Sequence, residues 1–205
     1  MTSATGRKEG TMDAPQTEQD KRRADVRAAM NVMDSPVGLG LTVDFEDTYL
    51  LSDAIRCYIN TADAGTIFCV HASCERDLAA MVQASGFAPA GSQRWGLGAL
   101  VAYCEHHEQM PPDLLDNLRI LNDHRKTLYH YGHSESDNAL RRRTSDLIQE
   151  VGSSKLREDF KEQRGFEGDN KEVYVFAMDR VLQRNALAAL TTGFMLRSWL
   201  GVQQR

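Results

Sequence analysis

The chain has 205 residues, 41% hydrophobic and 26% charged, with Lys+Arg 24 against Asp+Glu 29 for a net charge of −5. That length and composition suit about one soluble globular domain and exclude a fully disordered, collagen-like or low-complexity chain. No apolar run approaches the roughly 18 residues a membrane span needs, no overall basic charge advertises nucleic-acid binding, and no apolar signal segment opens the chain, so its four cysteines read as reduced thiols in a cytoplasmic protein.

Residues 1 to about 28 are polar and mixed in charge. They offer too little apolar surface to offset ordering entropy, which predicts a disordered leader, dispensable for folding, with a short helix at Ala24 to Met33. Ser35-Pro36-Val37-Gly38-Leu39-Gly40 is a loop. Residues 1–40 are therefore read as flexible leader and loop, and residues 41–205 as one helical bundle. Helical periodicity then dominates. A helix from about Phe45 to Asn60 gathers Leu50, Leu51, Ala54, Ile55 and Tyr58 on one side. A second, about Asp63 to Gln83, places Ile67, Val70, Cys74, Leu78 and Met81 at steps of three and four. Ser85-Gly86 ends it and Pro89 prevents its resumption. A third helix covers about Trp95 to Glu108 and stops before Pro111-Pro112. A fourth runs from Asp113 to about Tyr129, with Gly132 as its C-terminal cap. The charged stretch Asn138 to Arg164 holds a shorter helix around Leu140 to Val151. A loop at Gly165 to Asn170 leads into a long final helix, Glu172 to Leu200. Only Leu41-Thr42-Val43 and Val173 to Phe176 look β-like. The expected fold is all-α, an antiparallel bundle of about five helices joined by short connections.

The fourth helix carries the chemistry. Leu114, Leu118, Leu121 and Leu128 form one apolar stripe at about 100° per residue, and Arg125 falls in its middle. A guanidinium cannot shed its charge. Either Arg125 pairs with an internal acid, or this face meets another chain or a ligand, or the stem covers the core while the head reaches water. The run Asn122-Asp123-His124-Arg125-Lys126-Thr127-Leu128-Tyr129-His130-Tyr131-Gly132-His133 sets three histidines beside an arginine and a lysine. Arg125 and His130 point about 140° apart on an ideal helix, so two copies related by a two-fold axis, or a distortion near Gly132, would bring them to one atom. Chemically the pair suits phosphodiester cleavage. A histidine can move the ribose 2′-OH proton, a fixed cation can stabilise the phosphorane, and no metal or other cofactor is required.

Leu118-x-x-Leu-x-x-x-Arg-x4-His resembles the Arg-x(4–6)-His signature of HEPN domains, small helical proteins found among prokaryotic toxins and antiviral RNases. Cys69-Val-His-Ala-Ser-Cys-Glu75-Arg-Asp-Leu78 is similar to the family's second helix, in which a small residue precedes Glu and then Leu. Trp95-Gly-Leu-Gly-Ala-Leu100, followed by a Pro-containing turn into the motif helix, follows the family's order. The resemblance covers about Thr48 to Leu147. It implies a homodimer whose two motif helices build one composite endoribonuclease site, with Arg125 and His130 as the catalytic positions. His124, Lys126, Tyr131, His133 and Glu75 support them, and Arg141-Arg142-Arg143 holds the RNA backbone. The partners implied are RNA, a second copy and an inhibitory or regulatory protein. Lys126 stands where the family commonly has Asn, Asp or His, which keeps open a different reading, a catalytically silent HEPN-like module that dimerises or binds a partner. Family toxins silenced by a partner nucleotidyltransferase carry Tyr two residues after the His. Gly132 stands there in this chain, so that modification is not carried over.

Glu75 is read equally as a partner for Arg125 or as an ordinary exposed glutamate. Cys69, His71 and Cys74 with Cys104, His106 and His107 include the ligand types of a zinc site. Their spacing is not that of paired Cys-x-x-Cys knuckles, and buried thiols in a core are the favoured reading, with no metal bound.

Overall fold

In the computed structural model, residues 17–31, 45–86, 88–107, 109–129 and 134–203 are described. They form eight α-helices and one short 3-10 turn at Ser92–Arg94, with no strand among the described residues. The helices are α1 (Glu18–Met30), α2 (Phe45–Ile59), α3 (Asp63–Ala84), α4 (Leu97–His106), α5 (Pro112–Tyr129), α6 (Ser134–Val151), α7 (Ser153–Arg164) and α8 (Asn170–Gln203). The all-α expectation agrees with this, but the count of about five does not.

Against the six bundle helices and one short leader helix placed along the sequence, α7 is the added element. The charged stretch expected to hold one short helix holds two, because Gly152 adopts φ 86° between α6 and α7, a conformation that breaks the helix and favours glycine. α7 itself is strongly polar and turns only Leu156 and Phe160 inward. α1 overlaps the short helix expected at Ala24 to Met33 but begins earlier, at Glu18, and the disordered-leader expectation is corrected for residues 18–28. Thr17 Oγ1 accepts the Asp20 backbone N–H at 3.2 Å and caps the helix. Val26 and Ala29 join the core. Arg22, 5% exposed, reaches Asp63 with two hydrogen bonds of 2.5 and 3.1 Å and donates to the Tyr58 carbonyl at 2.9 Å. Its Nε also meets Glu18 at 3.0 Å, and its guanidinium lies 4.7 Å from the Tyr58 ring centre. Tyr58 in turn donates its hydroxyl to Asp25 at 2.9 Å. The polar residues that suggested solvation are spent on pairing, which an apolar count cannot register.

Two cores result. The larger is built from Leu51 and Tyr58 of α2, Ile67, Val70, Cys74 and Leu78 of α3, Leu97 and Leu100 of α4, Leu118 and Leu121 of α5, and Leu190 and Phe194 of α8. The smaller gathers Leu140 and Leu147 of α6, Leu156 and Phe160 of α7, and Val173, Phe176 and Val181 of α8. At 34 residues, α8 is about 50 Å long and serves both. Gly193 lets it approach closely, since a Cβ there would stand 3.1 Å from Val70 Cγ1 and 3.3 Å from Leu51 Cδ1. A buried ion pair locks α8 onto α3. Arg197 Nε meets Asp77 Oδ2 at 2.5 Å and its Nη2 donates to Ser73 Oγ at 3.1 Å.

Candidate functional site

The three segments of the HEPN resemblance meet where α3, the start of α4 and α5 pack together. Glu75 Oε2 accepts the Leu97 backbone N–H at 2.8 Å. Gly96, the residue before α4, has no side chain to cap it, so the carboxylate of α3 satisfies one of the orphan N–H groups and complements the positive end of the helix. One turn earlier on α3 lies His71, buried, with its Nε2 at 3.3 Å from Asn122 Oδ1 on α5. Gly98 completes the contact, since a Cβ there would stand 3.1 Å from Asn122 Nδ2.

Arg125 is half-buried at this junction. Burial pushes the His71 imidazole below its ordinary range, and the positive charge of Arg125 adds to that fall, while Asn122 and Glu75 oppose it. Arg125 is thus close enough to act electrostatically on His71. Leu114, Leu118 and Leu121 are buried along the stripe that leads to it, and Leu128 is partly buried beyond it. Lys126, in contrast, is exposed and meets Asp123 at 3.7 Å on the same helix.

His124 faces the other way. It is 7% exposed, and its Nδ1 finds no hydrogen-bond partner among the described residues. Burial, helped by the charge of Arg143 and opposed by Asp123, pushes its pKa down to about 4. The imidazole is therefore neutral at physiological pH. Arg143 is half-buried on α6, while Arg141 and Arg142 are exposed beside the buried Leu140 and Thr144. The arginine run of α6 and the motif helix are thus neighbours. His130, Tyr131, Gly132 and His133 lie outside the described residues, as does the side chain of Tyr129.

His71 and Asn122 as a helix–helix link, and the Asp77–Arg197 clasp, were not singled out from sequence. Signals for both exist. His71 and Glu75 are four residues apart on one face of α3, and Asp77 shares a face with Val70, Ser73 and Cys74. The cysteines and histidines of the zinc comparison part company. Cys74 and Cys104 sit in the core, His71 turns to Asn122, and no three metal-ligating side chains converge among the described residues.

A separate cleft of about 1030 Å³ opens between α1, the α2–α3 turn, α7 and α8, lined by Arg22, Asp63, Arg164, Asp179, Arg180 and Gln183 among others. None of Glu75, His124, Arg125, Lys126 or the α6 arginines lines it. No protein-family model matches the sequence, and no curated protein and no solved structure matches it. Among the described residues, no helix is long and apolar enough to cross a membrane.

Proposed function

We propose that this chain is an HEPN-like, metal-independent endoribonuclease of the cytoplasm, a toxin or antiviral defence effector that cleaves RNA at a composite site in a homodimer. The observation that carries the reading is the convergence of the three resembling segments. Glu75 of α3 caps α4, His71 of α3 holds Asn122 of α5, and Arg125 stands half-buried at the same junction. Residues far apart along the chain are thereby brought to one junction, where Arg125 acts on His71. In the proposed reaction His130 takes the proton from the ribose 2′-OH, the freed oxygen attacks the adjacent phosphorus, and Arg125 stabilises the charge that builds on the phosphorane. Lys126, Arg141, Arg142 and Arg143 attract the phosphate backbone. His124 supports the helix from its buried side.

Purified protein on defined RNAs tests this. Arg125→Ala and His130→Ala should each lower cleavage by about 10²–10⁴-fold while circular dichroism stays unchanged. Products should end in a 2′,3′-cyclic phosphate and a 5′-OH, chelators should make no difference, and a 2′-deoxy substitution at the cleaved position should block the reaction. Inert wild-type protein, or activity surviving His130→Ala, would move the assignment to the silent, partner-binding module. That second reading is favoured by Lys126, which leaves the junction for solvent and Asp123, and by the use of Glu75 as a helix cap.

A further inference from the structure

Two thiols face each other across the α2–α3 hairpin, away from the junction around Arg125. Cys57 lies in the last turn of α2. The Ala62 backbone N–H donates to the Cys57 carbonyl at 2.8 Å, and Thr61 takes φ 62° in the left-handed region. This tight reversal sends α3 back along α2. Gly65, in the first turn of α3, then lies against Cys57, because a Cβ at Gly65 would stand 3.2 Å from Cys57 Sγ. Cys69 follows one turn later on the same face of α3, near enough to Cys57 for the two thiols to act on each other electrostatically. Both cysteines are half-buried, whereas Cys74 and Cys104 are buried.

We propose that Cys57 and Cys69 form a dithiol modification site, which small-molecule disulfides such as oxidised glutathione convert to an intramolecular disulfide tying α2 to α3. Gly65 makes the site by leaving room for Cys57 Sγ beside Cys69, and the short turn holds the two helix ends in register. In the reaction one protein thiolate attacks a sulfur of the small disulfide and releases one small thiol. The second protein thiolate then attacks the protein-bound sulfur of the mixed disulfide and releases the other. Two protein thiols are oxidised to one S–S bond, one small disulfide is reduced to two thiols, and the two protons end on the leaving thiols. Burial, then the neighbouring Cys57 and Asp53, push the Cys69 thiol up. A raised thiol leaves less Cys69 thiolate to open the attack. A partly exposed bond of this kind belongs to the labile, regulatory class of disulfides rather than the permanent one.

Reduced full-length protein is exposed to oxidised glutathione under native conditions, unfolded in an alkylating agent and digested with trypsin. A single peptide, residues 57–76, contains Cys57, Cys69 and Cys74. It should lose the mass of two hydrogens and carry one alkyl group, on Cys74, and a reducing agent should restore three alkylatable thiols. Cys69→Ser should trap a glutathione adduct on Cys57, and Cys57→Ser should prevent the internal bond. The proposal is overturned by a lasting glutathione adduct on wild-type protein, by a disulfide between two copies, or by a pair that includes Cys74. It is equally overturned if both thiols stay alkylatable after an exposure that oxidises the urea-unfolded chain. None of these readouts involves RNA, so the proposal stands or falls independently of the ribonuclease reading.

Discussion

At the scale of single residues, the two buried histidines give the protein a pH-dependent stability whose sign is determined. The pKa of His124 falls from 6.5 to about 4 on folding, chiefly through burial, and that of His71 falls in the same direction. Between these values the unfolded chain binds protons that the folded chain does not, so stability drops as pH falls from about 6.5 toward 4 and is fully present above that window. His124 alone should cost about 2 kcal/mol between about pH 7 and pH 5, read from urea unfolding at the two pH values. His124→Leu should flatten much of that slope and leave neutral-pH stability nearly unchanged, because it removes a buried nitrogen without a partner along with the imidazole. A slope unchanged in the variant would show that His124 is not its source. Glu75 offers a second residue-scale test. Glu75→Ala strands the Leu97 N–H at the uncapped start of α4 and should cost about 1–2 kcal/mol in the same assay. The sequence posed Glu75 as either an Arg125 partner or an exposed glutamate, and the backbone N–H it serves was on neither list. Helical spacing shows which face a carboxylate occupies, but which backbone group arrives opposite depends on how two helices are placed.

At the scale of elements, α2 to α5 were legible because each carries an apolar stripe between recognisable stops. Gly86 at φ 74° and Pro89 end α3 as its sequence indicates, and Gly165 at φ 81° closes α7 before the loop into α8. α1 and α7 were not legible as packed elements, because their inward faces are narrow and their contacts largely polar. α1 should be a stability element. Removing residues 1–31, or Arg22→Ala alone, should lower unfolding free energy by about 3–5 kcal/mol, since Arg22→Ala leaves the half-buried Asp63 without its paired cation. A change of only a few tenths in denaturant unfolding would instead restore the dispensable-leader reading for residues 18–28. The smaller core has its own sensitive point. Gly168 lies so close to Phe160 that a Cβ would stand 2.5 Å from the ring. Gly168→Ala should force Phe160 to shift and cost about 1–3 kcal/mol, with hydrogen exchange rising in α7 and the first half of α8 before it rises in α3.

At the scale of the whole molecule, α8 joins the two cores, and the motif helix α5 is bounded by α3 and α4 on one side and α6 on another. The composite-site proposal requires two such molecules. Light scattering at micromolar concentration should find a dimer, a specific interface of this kind burying roughly 1,600 Å² in total. Charge reversal at Arg125, as Arg125→Glu, should weaken that dimer as well as cleavage. A monomer under those conditions would remove the composite site, whatever the fate of the Cys57–Cys69 bond. What the amino-acid sequence determined by itself was local: the helical class, the boundaries of stripe-bearing helices, and Arg125 as a cation on an apolar face. These follow from periodicities of three and four residues, which need no knowledge of neighbours. Only the tertiary structure decided that Arg22 is buried against Asp63, that His71 holds Asn122, that Glu75 caps α4 and that Cys57 packs against Gly65. Each of those joins residues on different helices, and the free energy of a polar group depends on the partner that packing brings within about 3 Å, not on its place in the chain.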